Sequence, residues 1–314
     1  MDAPISKHRY PHQAKKARIR LGPSGVHIFD RHSGANVLIN DVIPPESAWA
    51  AAPRQVSIAL TNACDLKCQY CFAPKTNAML GYDQLVQWLD ELDANGGLGV
   101  GFGGGEPTLH PRFADLCAYG ASQTRLAVTF TTHGHHLHDA LLSKIAGNVH
   151  FIRVSMDGIG NTYERLRNRS FQELTRRLAA VKKTVPFGIN YVVNEETVLE
   201  LDAAVTLARD IGALEFLLLP EQPPNRPGGF TANAARVLQA WIIRYSGALP
   251  LAISERGADG IPTCNPLPLE SGLRSYAHVD AGGVVKRTSF HTGGVPIRAD
   301  GLLSALTKLN QQPL

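Results

Sequence analysis

No run of apolar residues in this chain approaches the ~18 that a helix needs to cross a bilayer, and no signal peptide is visible, so the expected address is the cytoplasm. Cysteine is scarce, with five in 314 residues, and three of the five fall within eight positions. Cysteines so placed cannot form a disulfide framework, and a reducing compartment fits them better. Excess charge is also slight: 31 Lys and Arg against 27 Asp and Glu leave a net +4, which gives no reason to expect a membrane or nucleic-acid partner. Much of the excess (His8, Arg9, Lys15, Lys16, Arg18 and Arg20) lies in the first 20 residues and is expected to be a solvated basic arm. The hydrophobic share, 44%, is that of an ordinary globular chain long enough to bury a sizeable core.

What is present is concentrated in Cys64-Asp65-Leu66-Lys67-Cys68-Gln69-Tyr70-Cys71-Phe72. Three thiolates on one short loop suit three corners of an iron–sulfur cube and leave the fourth iron open. An open metal position points to chemistry, whereas a closed one points to structure. The competing reading is a zinc knuckle, but no Cys or His lies between Cys71 and His110 to supply a nearby fourth ligand.

Around this loop the chain alternates. Strands are expected over residues 56–61, 99–103, 126–131, 150–155, 187–193 and 214–219. Helices are expected over 82–92, 113–121, 138–145, 170–183 and 198–211. Leu85, Trp88, Leu89 and Leu92 show the i, i+3, i+4, i+7 spacing of an amphipathic helix. Six strand–helix repeats predict parallel strands with functional groups at their carboxyl ends. A β-hairpin is expected over residues 18–40, turning at Asp30–Gly34, and 44–53 reads as a linker. Beyond a Pro- and Gly-rich stretch at 222–229, a helix is expected over 232–245 and a strand at 251–254. A second hairpin is expected to turn on Ala281-Gly282-Gly283. The predicted fold is α/β: a partial (β/α)6 barrel over 54–222, an N-terminal arm and hairpin over 1–53, and a small α/β cap over 223–314.

The cysteine run resembles the cluster loop of radical S-adenosylmethionine (SAM) enzymes. Gly104-Gly105-Glu106-Pro107, about 35 residues later and at the next strand end, resembles that family's Gly-Gly-Glu-Pro motif. Ser155-Met156-Asp157-Gly158 followed by Arg167 resembles the Ser-x-Asp-Gly…Arg pattern of its peptide-modifying and cofactor-building branch. The resemblance implies one 4Fe–4S cluster on Cys64, Cys68 and Cys71, with SAM chelating the open iron. Reductive cleavage would then give a 5′-deoxyadenosyl radical that abstracts a substrate hydrogen. It implies SAM contacts at Tyr70, Phe72, Gly104, Gly105, Glu106, Pro107, Thr132, His133, Ser155, Asp157, Arg167, Asn194 and Leu219. His133 stands where relatives usually carry asparagine.

A flavodoxin or ferredoxin is the implied electron donor. The implied substrate is a peptide side chain, with a small molecule or nucleotide, as in viperin-type enzymes, as the alternative. A non-catalytic iron–sulfur or zinc protein is a third reading. His133, His135, His136 and His138 form a dense run, but loop histidines are not set on one helical face and are not expected to bind metal. Cys264 precedes the second hairpin where relatives place an auxiliary-cluster cysteine, yet Thr288-Ser289-Phe290 stands in place of its partner, so no auxiliary cluster is expected. Cys117 reads as a small buried residue. The helices of the winged-helix domain that grips leader peptides in some relatives are not evident in the first 50 residues.

Overall fold

The computed structural model describes residues 17–71, 73–222, 229–265 and 267–313. His8, Arg9, Lys15 and Lys16 of the basic arm, together with Phe72, lie outside the described residues, as does most of the 222–229 stretch.

Strands β1 (Ala17–Gly22), β2 (Gly25–Asp30) and β3 (Asn36–Ile39) form an antiparallel sheet in that order. β2, β3 and the turn between them were legible from sequence, whereas β1 was not. Its polarity runs against the usual alternation: Arg18 and Arg20 are buried and Ile19 is exposed. The two arginines therefore do not belong to a solvated arm. Arg18 Nη1 donates to Asp93 Oδ1 at 2.7 Å. Arg20 Nη1 donates to the Ala52 and Gly96 carbonyls at 2.9 Å each. Arg20 and Arg54 also share the buried Glu270, at 3.3 and 3.2 Å, which ties the small sheet to the C-terminal third.

The main body continues through β4 (Gln55–Thr61), α1 (Tyr82–Ala94), β5 (Gly99–Gly104), α2 (Phe113–Gln123), β6 (Ala127–Thr132), α3 (Asp139–Ile145) and β7 (Phe151–Ser155). Then come α4 (Gly160–Arg167), α5 (Phe171–Val181), β8 (Phe187–Val193), α6 (Leu201–Asp210), β9 (Phe216–Pro220) and α7 (Ala232–Arg244). The chain closes with β10 (Leu251–Ile253), β11 (Tyr276–Val279), β12 (Val284–Lys286), β13 (Val295–Pro296) and α8 (Leu302–Asn310). One sheet takes all ten later strands in the order β10-β9-β8-β7-β6-β5-β4-β11-β12-β13. Its members from β10 to β11 are parallel, so the six β/α units make a partial (β/α)6 barrel.

Alternation along each strand separates two faces. Val56, Ile58 and Leu60 of β4 pack on Leu85, Trp88, Leu89 and Leu92 of α1, each such buried side chain worth about 1.5–3 kcal/mol. Ser57, Gly101, Gly103, Thr129, Thr131, Ser155 and Asn190 point the other way, so the helix-free face is bare of side chains along β5 and polar at these positions, with Phe151, Leu217 and Leu219 adding apolar surface toward β9.

Two elements depart from expectation. A separate short helix, α4, precedes α5 and ends at Asn168 in a left-handed conformation (φ 51°). The C-terminal hairpin, β11–β12, joins the main sheet through the parallel β4–β11 pairing. There α8 is capped by Glu91 of α1, which accepts from the Leu302 and Leu303 amides at 2.7 and 2.9 Å.

Candidate functional site

The cysteine loop leaves the end of β4 and is closed at its neck. Asn62 N donates to Ala78 O at 2.9 Å, Leu80 N to Leu60 O at 3.0 Å, and Thr61 Oγ1 to Ala78 O at 3.1 Å. Inside that neck Leu66 is the buried anchor, and a turn from Cys71 N to Cys68 O (3.1 Å) sets the second and third cysteines apart. All three thiols are half-buried. Among the described residues each sulfur has one N–H donor: the Leu66 amide to Cys64 at 3.4 Å, Arg167 Nη1 to Cys68 at 3.7 Å, and Lys75 Nζ to Cys71 at 3.2 Å. Burial pushes the Cys64 thiol above its ordinary pKa, with the Leu66 amide opposing, so a bound metal is what would make it a thiolate.

The donor set fits a cube better than a single ion. The three sulfurs do not all lie within 4.8 Å of one another. Sulfurs on one tetrahedral zinc, each about 2.3 Å from the ion, would stand about 3.8 Å apart, whereas a cube gives each cysteine its own corner. Among the described residues Cys64 does lie within that distance of Asp65 and His133. Those two, however, bond to each other.

The glycine turn at the end of β5 folds against the start of this loop. Gly105 N donates to Thr61 O at 2.7 Å and Glu106 N to Ala63 O at 2.8 Å. Gly104 has φ 122°, and a Cβ there would stand 2.2 Å from Thr61 O. At Gly105 a Cβ would stand equally close to Ala63 O, so neither position admits a side chain. Glu106 is fully buried. Its Oε1 accepts from Thr132 Oγ1 (2.8 Å), Thr108 Oγ1 (2.6 Å) and Thr108 N (3.2 Å), and its Oε2 accepts from His133 N (3.0 Å). Pro107 opens the short 3-10 turn Pro107–Leu109 that follows.

His133 has a definite post. Its Nδ1 accepts from the His135 amide at 3.1 Å, which leaves the proton on Nε2. Nε2 lies 2.9 Å from Asp65 Oδ1 and 3.3 Å from Glu106 Oε2, so the ring joins the cysteine loop to the glutamate turn. Burial acts to raise the Asp65 pKa, but His133 and Arg169 together hold it well below the usual carboxylate range. The neighbouring histidines diverge. His135 Nε2 pairs with Tyr163 OH at 2.9 Å, His136 Nε2 lies 3.3 Å from Asp65 Oδ2, and His138 Nδ1 accepts from Leu141 N at the start of α3.

On the β7 side, Asp157 is buried and both of its oxygens are taken. Oδ1 accepts from Val192 N at 2.7 Å, while Oδ2 accepts from Tyr70 OH at 2.5 Å and from Arg167 Nη2. Arg167, at the end of α4, also stands 5.6 Å over the Tyr70 ring. Burial works against its charge, but Asp157 beside it keeps the guanidinium protonated. Burial first, and Asp157 second, push the Tyr70 phenol up. Tyr70, Asp157, Arg167 and Cys68 thus form one contiguous group.

Ser155 ends β7 directly across from Asn190 of β8. Asn190 is buried with its Oδ1 unpartnered. Asn190 is not among the residues singled out from sequence; its place two residues from Gly188 on the polar face was the available signal. Asn194 is engaged within the protein. Its Oδ1 accepts from Glu196 N, Thr197 N and Thr197 Oγ1, and its Nδ2 donates to Glu221 at 3.0 Å. Leu219 is half-buried on β9, in register with Val192.

Comparison with known proteins shows what the chain is similar to. The model of the Radical SAM superfamily matches residues 58–208. The AdoMet-dependent heme synthase of Methanosarcina barkeri is 28% identical over 185 residues, covering 55% of this chain and 53% of that protein. The sporulation killing factor maturation protein SkfB of Bacillus subtilis is 29% identical over 173 residues, covering 52% and 42%. The chain spans about half the length of these curated relatives. Among solved structures, Streptococcus suis SuiB bound to precursor peptide SuiA superposes with a TM-score of 0.72 at 12% identity, covering 93% of this chain and 87% of that one.

Proposed function

We propose that this chain, which belongs to the radical SAM superfamily, modifies a peptide side chain by radical hydrogen abstraction. One observation carries the reading: Cys64, Cys68 and Cys71 stand on a loop bonded to both the Gly104–Pro107 turn and the Asp157–Arg167 pair, all at the carboxyl ends of parallel strands. When bound there, a 4Fe–4S cluster and SAM supply, on one-electron reduction, a 5′-deoxyadenosyl radical able to take hydrogen from an unactivated carbon.

The chain's own part is to hold and aim. The three cysteines are the cluster ligands. Gly104 and Gly105 let the turn pack directly on the start of the cysteine loop, which no residue with a side chain could do. Arg167 spends its guanidinium fork on Cys68 and Asp157 and so ties the cysteine loop to the end of β7. Asp157 acts within the protein, fixing Arg167 and Tyr70. The orphaned Asn190 Oδ1, which would cost about 1–3 kcal/mol if left unpaired, and the Ser155 hydroxyl beside it are free to receive polar groups of the ligand. A flavodoxin or ferredoxin supplies the electron, and residues 223–314 cover the substrate without an auxiliary cluster.

The likenesses to a killing-factor maturation protein and to a structure holding a precursor peptide support the peptide reading. Likeness to a heme synthase supports a second reading, the same chemistry on a small molecule or nucleotide. Anaerobic reconstitution is expected to give about four irons per chain and, with dithionite and SAM, 5′-deoxyadenosine. Iron near eight per chain would overturn the single-cluster assignment, and an iron-free, zinc-loaded protein would overturn the whole reading. Synthetic peptides from short reading frames beside the gene, incubated with the holoenzyme, should show a mass change. Their remaining unchanged while a small molecule is consumed would favour the second reading.

A further inference from the structure

The three N–H donors that meet the cysteine sulfurs differ in kind. The Leu66 amide at Cys64 is neutral. Arg167 at Cys68 is charged, but Asp157 is bonded beside it and cancels most of its field. Lys75 Nζ lies 3.2 Å from Cys71 Sγ and pairs with no carboxylate among the described residues. Its side chain is exposed, so its field is open to screening by salt. Among the described residues Lys75 is thus the uncompensated cation in direct N–H contact with one of these sulfurs, Cys71, and its charge also reaches Cys64.

We propose that Lys75 raises the reduction potential of the cluster held by these cysteines, through a charge-assisted N–H···S bond to Cys71. This rests on the reading of the loop as a 4Fe–4S site. Reduction adds one electron, delivered by a low-potential one-electron donor, and neither breaks nor forms a covalent bond. The added negative charge is spread over the cluster and its thiolates. A hydrogen-bond donor and a positive charge at one thiolate stabilise the reduced form more than the oxidised one. The Arg167–Asp157 pair offers the donor without the net charge, and the Leu66 amide offers only a dipole. Lys75 is therefore a positioning residue for electron entry, acting through Cys71.

The test is a potentiometric titration of anaerobically reconstituted protein, poised with dithionite and redox dyes and read by the electron paramagnetic resonance of the reduced cluster. Wild type is compared with Lys75→Met, Lys75→Arg and Lys67→Met. Lys67 lies on the same loop, is exposed, and bonds to no sulfur among the described residues. At a fixed solution potential, Lys75→Met should show a roughly tenfold lower ratio of reduced to oxidised cluster. Lys75→Arg should stay near wild type and Lys67→Met should not move. Raising salt should carry wild type toward Lys75→Met and leave that variant where it is.

Lys75→Met with full iron and an unshifted midpoint overturns the proposal, as does an equal shift in Lys67→Met. If Lys75→Met does not hold iron, the salt response of wild type and of Lys75→Arg decides, and its absence overturns the proposal. A wild type that takes up no iron defeats the proposed function itself, a result plainly different from an unshifted potential.

Discussion

On the cysteine loop the three thiols are half-buried, the neck is closed by a few bonds, and among the described residues each sulfur meets a single donor. The wall facing it is the opposite. Glu106 and Asp157 are buried, and protein donors occupy both oxygens of each. The difference teaches which half of the site the fold makes by itself. The wall needs no ligand to be ordered, because its charges are already matched. The loop has unmatched thiols and little core, so a metal is what would order it.

The largest expected effect separates the two halves outright. Cys68→Ala should lose most of its iron and all 5′-deoxyadenosine release. The metal-free protein's stability should move by less than about 1 kcal/mol, since the thiol is half-exposed. Iron analysis and urea melts check both parts. Loss of stability comparable to a core deletion would mean that the loop belongs to the folded framework after all.

Next is Arg167→Ala, which leaves buried Asp157 without its cation. Removing one partner of a buried pair costs about 3–5 kcal/mol, and here the loss should show in the metal-free protein. Glu106→Gln should cost less, about 1–3 kcal/mol. The amide must turn one NH2 toward donors that a carboxylate accepted, either the Thr132 and Thr108 hydroxyls or the His133 amide. If either variant melts like wild type, the wall is not the pre-formed half.

Legibility follows the same division. The six strand–helix units were readable because apolar periodicity reports the core directly, and the loop stood out in the sequence because closely spaced thiols point to metal chemistry. The internal bonding of the wall was not. Nothing in Ser-Met-Asp-Gly says that Asp157 spends one oxygen on the Val192 amide and the other on Tyr70 and Arg167, because those partners come from β8, the cysteine loop and α4. The post of His133 was hidden likewise, since Asp65 and Glu106 are distant in sequence. β1 was missed because two arginines face inward to carboxylates and carbonyls that no local pattern announces. The β4–β11 seam was missed because it joins segments more than 200 residues apart.

The smallest predicted effect is in pH. His135 is held neutral, its pKa lowered from 6.5 to about 4, chiefly by burial and then by His133 and Arg169 nearby. The unfolded chain would protonate near 6.5, so between about 6.5 and 4 the unfolded state binds more protons and stability falls as pH falls. Above about 6.5 the contribution is complete and flat. His150 and His278 are also lowered to about 4 and titrate in the same window, so the measure is the difference between wild type and His135→Gln, not the slope alone. His135→Gln should flatten the slope of urea-melt stability against pH over that window without moving its position. Asp65, held low on the loop by His133 and Arg169, should add its loss only at more acid pH. An unchanged slope would mean that the His135–Tyr163 contact opens to water, and that the boundary between pre-formed wall and metal-ordered loop lies closer to Glu106 than the geometry places it.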